Sequence, residues 1–232
     1  MRNDIEEKQY DELRKLGQKL HIPIPEAFWE LEVTDKNGKV TQRHKQRSHS
    51  WVRNAYNLLL SQMAGANAEG GFGAGGLSVK DTGGTVRSGG SISIGSTGTY
   101  FNNPGNAFRA PAAIATYGIQ VGSGTNAESF EDYVLQTPIA EGSGAGQLNH
   151  VLAEDHVRSW SAPILTITHT RYFNNNSGGD VSVNEVALTT NGQVSGLGRQ
   201  FMVSRDKLAA TVLVPNTGQL KIDYTIQLTY PS

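Results

Sequence analysis

The chain has 232 residues, 27 of them glycine and none cysteine, and its 20 Lys+Arg against 21 Asp+Glu leave a formal charge of −1. This length suits one large domain with its own core. The lack of cysteine excludes a disulfide scaffold, thiolate-held metal and a thiol nucleophile, and the near-zero charge argues against a nucleic-acid-coating protein. No apolar run reaches the roughly 18 residues of a membrane span. The opening MRNDIEEKQYDELRK is charged where a secretory signal would be apolar, so the expected compartment is a cytoplasm.

In chain order, the first expected element is a helix over about residues 4–20. Leu13, Leu16 and Leu20 fall at i, i+3, i+7, with Ile5 and Tyr10 behind them, a thin apolar stripe on a charged rod. It suits docking either on the chain's own body or on a neighbouring subunit. Pro23 and Pro25 end it. A hairpin follows: Trp29, Leu31 and Val33 alternate with Glu30 and Glu32, Asp35-Lys36-Asn37-Gly38 turns, and a polar strand returns from Val40 to Arg47. Arg43, Lys45, Arg47 and Arg53 form a basic run with the reading of a solvated edge strand first, subunit contact second and nucleic acid third. Twenty of the 41 charged residues precede residue 54, which predicts a charged arm over 1–50 and a body over 51–232.

The body opens with a helix over about Trp51–Ala64, Ser50 as its N-cap and Gly65 as its C′ residue. Val52, Ala55, Leu59 and Met63, flanked by Tyr56, Leu58 and Leu60, form its expected sheet-covering face. Eleven glycines between Gly70 and Gly98 predict a loop insertion over about 66–113 with short strands at Leu77–Lys80, Thr85–Arg87 and Ser91–Ile94. Phe72, Tyr100, Phe101 and Phe108 argue for ordered loops there rather than a linker. Strands are expected at Ala115–Val121, Val134–Ile139, Ile164–Phe173, Val181–Leu188, Gln200–Arg205, Leu208–Val214 and Gln219–Tyr230, with turns at Asn174–Gly179 and Asn191-Gly192. The last strand alternates over six apolar positions, so one face is buried. The fold class is mainly β: an antiparallel, jelly-roll-like sandwich with an N-terminal helix-and-hairpin arm and one covering helix.

Motifs for chemistry are sparse. Gly118-Ile119-Gln120-Val121-Gly122-Ser123-Gly124 lacks the GK[ST] and following helix of a phosphate loop, so its glycines serve bending or close packing. His150 and His156, six apart, could share a metal on one strand face, but read more simply as surface histidines. Glu131-Asp132, Glu154-Asp155 and the single Glu185 invite comparison with glycosidase carboxylates, but adjacent acids in loops read as solvated or capping. There is no G-x-S-x-G elbow. The expectation is no catalytic residue, no cofactor and no metal. Leu13, Leu16, Leu20, Trp29, Arg43, Lys45 and Arg47 are the candidate subunit contacts. Tyr100, Phe101, Phe108 and Trp160 are candidate ligand contacts, with loop-core packing the simpler role.

The series Ile119–Gly124, Asp132-Tyr133-Val134-Leu135-Gln136-Thr137-Pro138-Ile139, Thr170-Arg171-Tyr172-Phe173-Asn174, Val183–Leu188, Ser204-Arg205-Asp206 and Leu220–Ile226 resembles, in its order, a recurring type of tailed-bacteriophage virion protein. It covers about residues 117–230; the Gly-rich insertion and charged arm depart from the usual short form. The resemblance implies a β-rich, non-enzymatic part of a head surface, tail or fibre, assembled in the host cytoplasm. Its partners would be copies of itself and other virion proteins; composition adds the expectation of no membrane partner and ranks nucleic acid last. A receptor- or glycan-binding module at a virion surface is the alternative.

Overall fold

A computed structural model describes residues 2–64, 76–88, 92–95 and 103–231. Two antiparallel sheets face each other across one core, with a helix outside each, so the mainly β sandwich holds. Helix α1 (Arg2–Leu20) leads into β1 (Ile24–Thr34) and β2 (Val40–Arg47); helix α2 (Arg53–Ala64) follows, then β3 (Val79–Lys80), β4 (Val86–Arg87) and β5 (Ile92–Ser93). The remaining strands are β6 (Gly118–Gly122), β7 (Asn149–His150), β8 (Val157–Ser161), β9 (Ile164–Asn174), β10 (Val181–Val194), β11 (Leu197–Val214) and β12 (Gln219–Thr229).

The larger sheet runs β2-β1-β12-β9-β7, with β8 also on β9; the smaller face of the sandwich runs β11-β10-β5, with β6 also on β10; β3 and β4 pair as a separate two-stranded ribbon. β9 and β12 pair in one sheet while the β10–β11 hairpin between them lies in the other, a nested return of the jelly-roll kind. Trp29, Leu31, Val33, Phe173, Leu220, Ile222 and Tyr224 from the first sheet meet Ile119, Val121, Val186, Leu188, Val212 and Val214 from the second. The alternation seen in Gln219–Tyr230 is what aims the β12 side chains inward.

The hairpin expected in the arm belongs to the body. β1 pairs with β12 over its whole length, Ile24 with Thr229 through Thr34 with Gln219. A division at residue 50 would cut through the core; of the described residues before 50, α1 is the element that stands outside the sandwich. Trp29 shows why: its ring lies 4.1 Å from that of Tyr224, and its Nε1 donates to Asp206 at 2.7 Å.

β2 is an edge strand bearing Arg and Lys, as expected, and its other face closes the sandwich corner. Gln42 donates to the Thr211 carbonyl and accepts from the Leu213 N–H; Gln46 does the same with Lys207 and Ala209. Two side-chain amides thus satisfy the free edge of β11, where another chain could otherwise pair.

Several expected elements are corrected. Val134–Ile139 is a loop, although Leu135 and Ile139 are buried. Pro138 removes a ladder donor, and the Gln136 and Thr137 N–H groups go to the Glu185 carboxylate instead of a strand. Asn191-Gly192 is not a turn but lies inside β10, paired with Gln200 and Arg199. A Cβ on Gly192 would meet the Ser93 carbonyl at 2.4 Å, so the glycine admits β5. The hairpin turns at Ser195-Gly196, both at positive φ. The two strands expected over 200–214 are one, β11, continuous through Asp206. That buried carboxylate accepts from Trp29 Nε1, Ser48 Oγ and the His49 N–H. Burial pushes its pKa up while those donors oppose the shift. Helix α2 starts at Arg53 rather than Trp51, because Trp51 bridges to Ser204 in extended form. Ser91 and Gly65 lie outside the described residues.

Arg171 organises the loops at one end of the core. It is fully buried. Its Nε donates to Val151 O, its Nη1 to Tyr117 O and Ile119 O, and its Nη2 to Pro111 O and Ile114 O, at 2.6–3.2 Å. All five guanidinium donors therefore end on backbone carbonyls. Burial pushes its pKa down to about 10, which leaves it charged at neutral pH. Glu185, also fully buried, plays the converse part. It accepts from the Gly124, Gln136 and Thr137 N–H groups and from Arg205 Nε at 2.7–3.2 Å. Arg205 continues to Asp132. Gly122 and Gly124 leave room for this carboxylate; a Cβ on either would lie 2.5 Å from Glu185 Oε1. Close packing is thus what these two glycines serve.

Candidate functional site

Helix α1 lies against β1 through its polar side. Arg14 Nη1 donates to both Glu26 oxygens at 2.7 Å. Arg47 reaches Glu7 at 2.7 and 2.9 Å and also pairs with Glu26. The Arg47 guanidinium sits 3.8 Å from the Tyr10 ring centre. Its hydrogen bond holds the Glu7 carboxyl below the usual carboxylate range. Because the charged side faces inward, Ile5, Leu13, Leu16 and Leu20 face out, Leu16 being 51% exposed.

The candidate subunit contacts therefore separate into three groups. Leu13, Leu16 and Leu20 form one exposed row. Arg43 and Lys45 are exposed on β2 and pair across the strand with Glu32 and Glu30. Trp29, at 0% exposure, and Arg47, whose side chain is turned inward, are corrections: both are used up within the chain. The periodicity of β1 marked Trp29 as facing a core, but not whose core.

Helix α2 reverses the expected face. Asn54, Asn57, Leu58 and Ser61 are buried, while Tyr56, Leu59, Leu60 and Met63 are exposed. Asn54 Nδ2 donates to the Lys80 and Met202 carbonyls, and Asn57 Nδ2 to those of Gly76 and Ser78. The helix covers β3 and β11, whose exposed carbonyls need donors, and asparagines meet that need where leucines could not. The apolar row is left on the outside, with Met63 at 76% exposure. Phe130 extends it, its ring 5.8 Å from Tyr56.

A pocket of about 240 Å³ opens where the larger sheet runs past the smaller one. Ile119, Ile167, Ile226 and Phe108 make its apolar wall, with His156, His169, Glu154 and Arg109 around it. Phe108, a candidate ligand contact, lies 5.3 Å from the His169 ring, and His169 lies 6.0 Å from His156. Trp160 is exposed on β8 and meets Tyr230 edge-on at 5.4 Å. Tyr100 and Phe101, like Phe72, lie outside the described residues.

Burial, then the neighbouring His156, pushes the His169 pKa down to about 4 from 6.5. An imidazole held neutral by burial only in the folded state leaves stability intact above about pH 6.5 and lowers it progressively as pH falls toward about 4, because the unfolded chain takes up the proton first. We expect unfolding free energy to drop by about 2–3 kcal/mol over that window on this account. Urea titrations of wild type and His169→Leu at stepped pH check it: the wild-type curve should fall more steeply, and parallel curves would refute the assignment.

The other titratable groups resolve into structural pairs. His150 is not a surface residue: it is buried, its Nδ1 lies 2.9 Å from Glu141, and its ring meets Phe173 edge-on. It does not join His156, whose ring neighbour is His169. Glu131 pairs with Arg53 and Asp155 with Arg109. Glu185, the single acid of the series, is fully buried. Among the described residues no group of three or more His, Asp or Glu is placed to hold a metal ion. The pocket and the roles of Arg171, Glu185 and Asp206 had no sequence signal, since each depends on residues brought together from distant segments. Comparison with known protein families, characterised proteins and solved structures finds no match.

Proposed function

We propose that this chain is a non-enzymatic structural subunit of a tailed-bacteriophage virion, in its head or tail, assembled in many copies in the host cytoplasm. The observation that carries the reading is the orientation of the two helices. Both turn polar residues toward the body and apolar rows toward solvent. An exposed apolar patch marks an interaction surface more often than a free one. The saturated carboxylates Glu185 and Asp206 support a structural rather than catalytic use of the buried acids. The ordered segments from Ile119 to Ile226 supply the virion part of the reading. Immunogold electron microscopy of phage particles made by cells carrying this coding sequence tests it. Regular, repeated labelling at one place on the particle is expected; chain confined to the soluble fraction overturns the reading.

A second reading, a glycan- or receptor-contacting module, is favoured by the exposed Trp160 beside Tyr230, an aromatic surface that could stack on a sugar ring. Saccharide-dependent quenching of fluorescence, lost in Trp160→Ala, would support it over the first.

A further inference from the structure

We infer that the outward face of α2 receives helix α1 of a second copy of this chain. The inference rests on the proposed role as an assembling subunit and names the two surfaces that would meet. Tyr56, Leu59, Leu60 and Met63 occupy one side of α2, opposite the side that buries Asn54, Asn57, Leu58 and Ser61. Their spacing is i, i+3, i+4, i+7. Leu13, Leu16 and Leu20 on α1 repeat it at i, i+3, i+7. Each row spans about two turns, roughly 10 Å, and each has the a-d-a phase by which helices interlock.

The two rows cannot serve each other within one chain as folded. α1 rests on β1 of the larger sheet, pinned by Arg14–Glu26 and Arg47–Glu7. α2 packs on β11, β3 and β5, away from that sheet. A symmetric α2–α2 contact would leave the α1 leucines uncovered. Any single pair of these helices buries only a few hundred Å² per copy, against the ~800 Å² per partner typical of stable association, so a copy that used α2 alone would be held weakly. Pairing α1 with α2 of the next copy covers both rows and gives every copy two contacts. Charge permits it: Arg53 is the only charged residue of α2 and is already balanced by Glu131, so Glu12, Lys15 and Lys19 beside the α1 row approach a helix with no uncompensated charge. Because the two faces differ, the contact is heterologous and closes into a ring or extends as a filament.

Sedimentation of the full chain over a concentration series, with Leu16→Glu and Leu59→Glu, tests the pairing. Both positions are exposed, so circular dichroism and thermal melting should match wild type. Wild type is expected to associate, and each variant alone to weaken association at least about tenfold. An equimolar mixture of the two should form a one-to-one complex that does not extend, since it retains one intact α1 and one intact α2. If either variant associates as wild type does, or the mixture stays monomeric, the pairing is wrong while assembly by another surface stands. If wild type stays monomeric throughout, the proposed subunit role fails with it.

Discussion

Replacing Arg171 by methionine is expected to lower the free energy of unfolding by about 3–5 kcal/mol. Methionine fills much of the space but donates nothing. The carbonyls of Pro111, Ile114, Tyr117, Ile119 and Val151 would lose the donors they share with this side chain. An unpaired buried acceptor costs about 1–3 kcal/mol, and not every loss adds in full because loops relax. Arg171→Lys should fall between, near 2 kcal/mol, since an ammonium has three donors and no planar fork. Chemical denaturation of the three proteins checks this; a methionine variant within about 1 kcal/mol of wild type would show that solvent or loop movement satisfies those carbonyls instead.

The second large effect is expected at Glu185. Glu185→Leu removes the acceptor for three backbone N–H groups and for Arg205 at once. Breaking one side of a buried ion pair costs about 3–5 kcal/mol, and Arg205 keeps Asp132 at 2.7 Å as partial compensation. Adding Arg205→Met should restore only part of the loss, because the Gly124, Gln136 and Thr137 N–H groups remain without their acceptor. Hydrogen exchange locates the effect: the amides of residues 124, 136 and 137 should lose protection, while those of the β1–β12 ladder keep theirs under native conditions. Full recovery in the double variant would mean that the ion pair alone, and not the loop anchor, gives Glu185 its value.

Much of the architecture was readable before any coordinates. The hairpin around Asp35–Gly38, the turn over Asn174–Gly179 and the alternating β12 all rest on local chemistry: residues tolerant of positive φ, side chains that bond their own backbone, and a period of two. Asp35 illustrates it, accepting from the Asn37 and Lys39 N–H groups. Where the reading failed, the deciding partner was remote. Asn191-Gly192 has turn chemistry, yet Gly192 lies beneath Ser93. Val134–Ile139 has strand composition, yet its Gln136 and Thr137 amides go to Glu185.

The candidate surfaces divide in the same way. The sequence alone determined that helices cover residues near 4–20 and 51–64, to within two residues at the second helix's start, that each carries an apolar row, and that the strands after residue 114 form a sandwich, because periodicity and turn residues act over a few neighbouring positions. It could not say which way the helices face. The hydrophobic pattern leaves the α1 row free to turn either way and predicts that the α2 row faces the sheet; instead Glu7 and Arg14 find Arg47 and Glu26, while Asn54 and Asn57 find bare carbonyls of β3, β11 and the segment around Gly76, and of the expected α2 face Leu59 and Met63 point out while Leu58 is buried. Those partners exist only after the sheets have formed. Whether the first 50 residues are arm or body was settled likewise by the pairing of β1 with β12, nearly 200 positions away. The absence of cysteine set at the outset what could not hold the molecule together; long-range pairing of strands and buried ions decides what does.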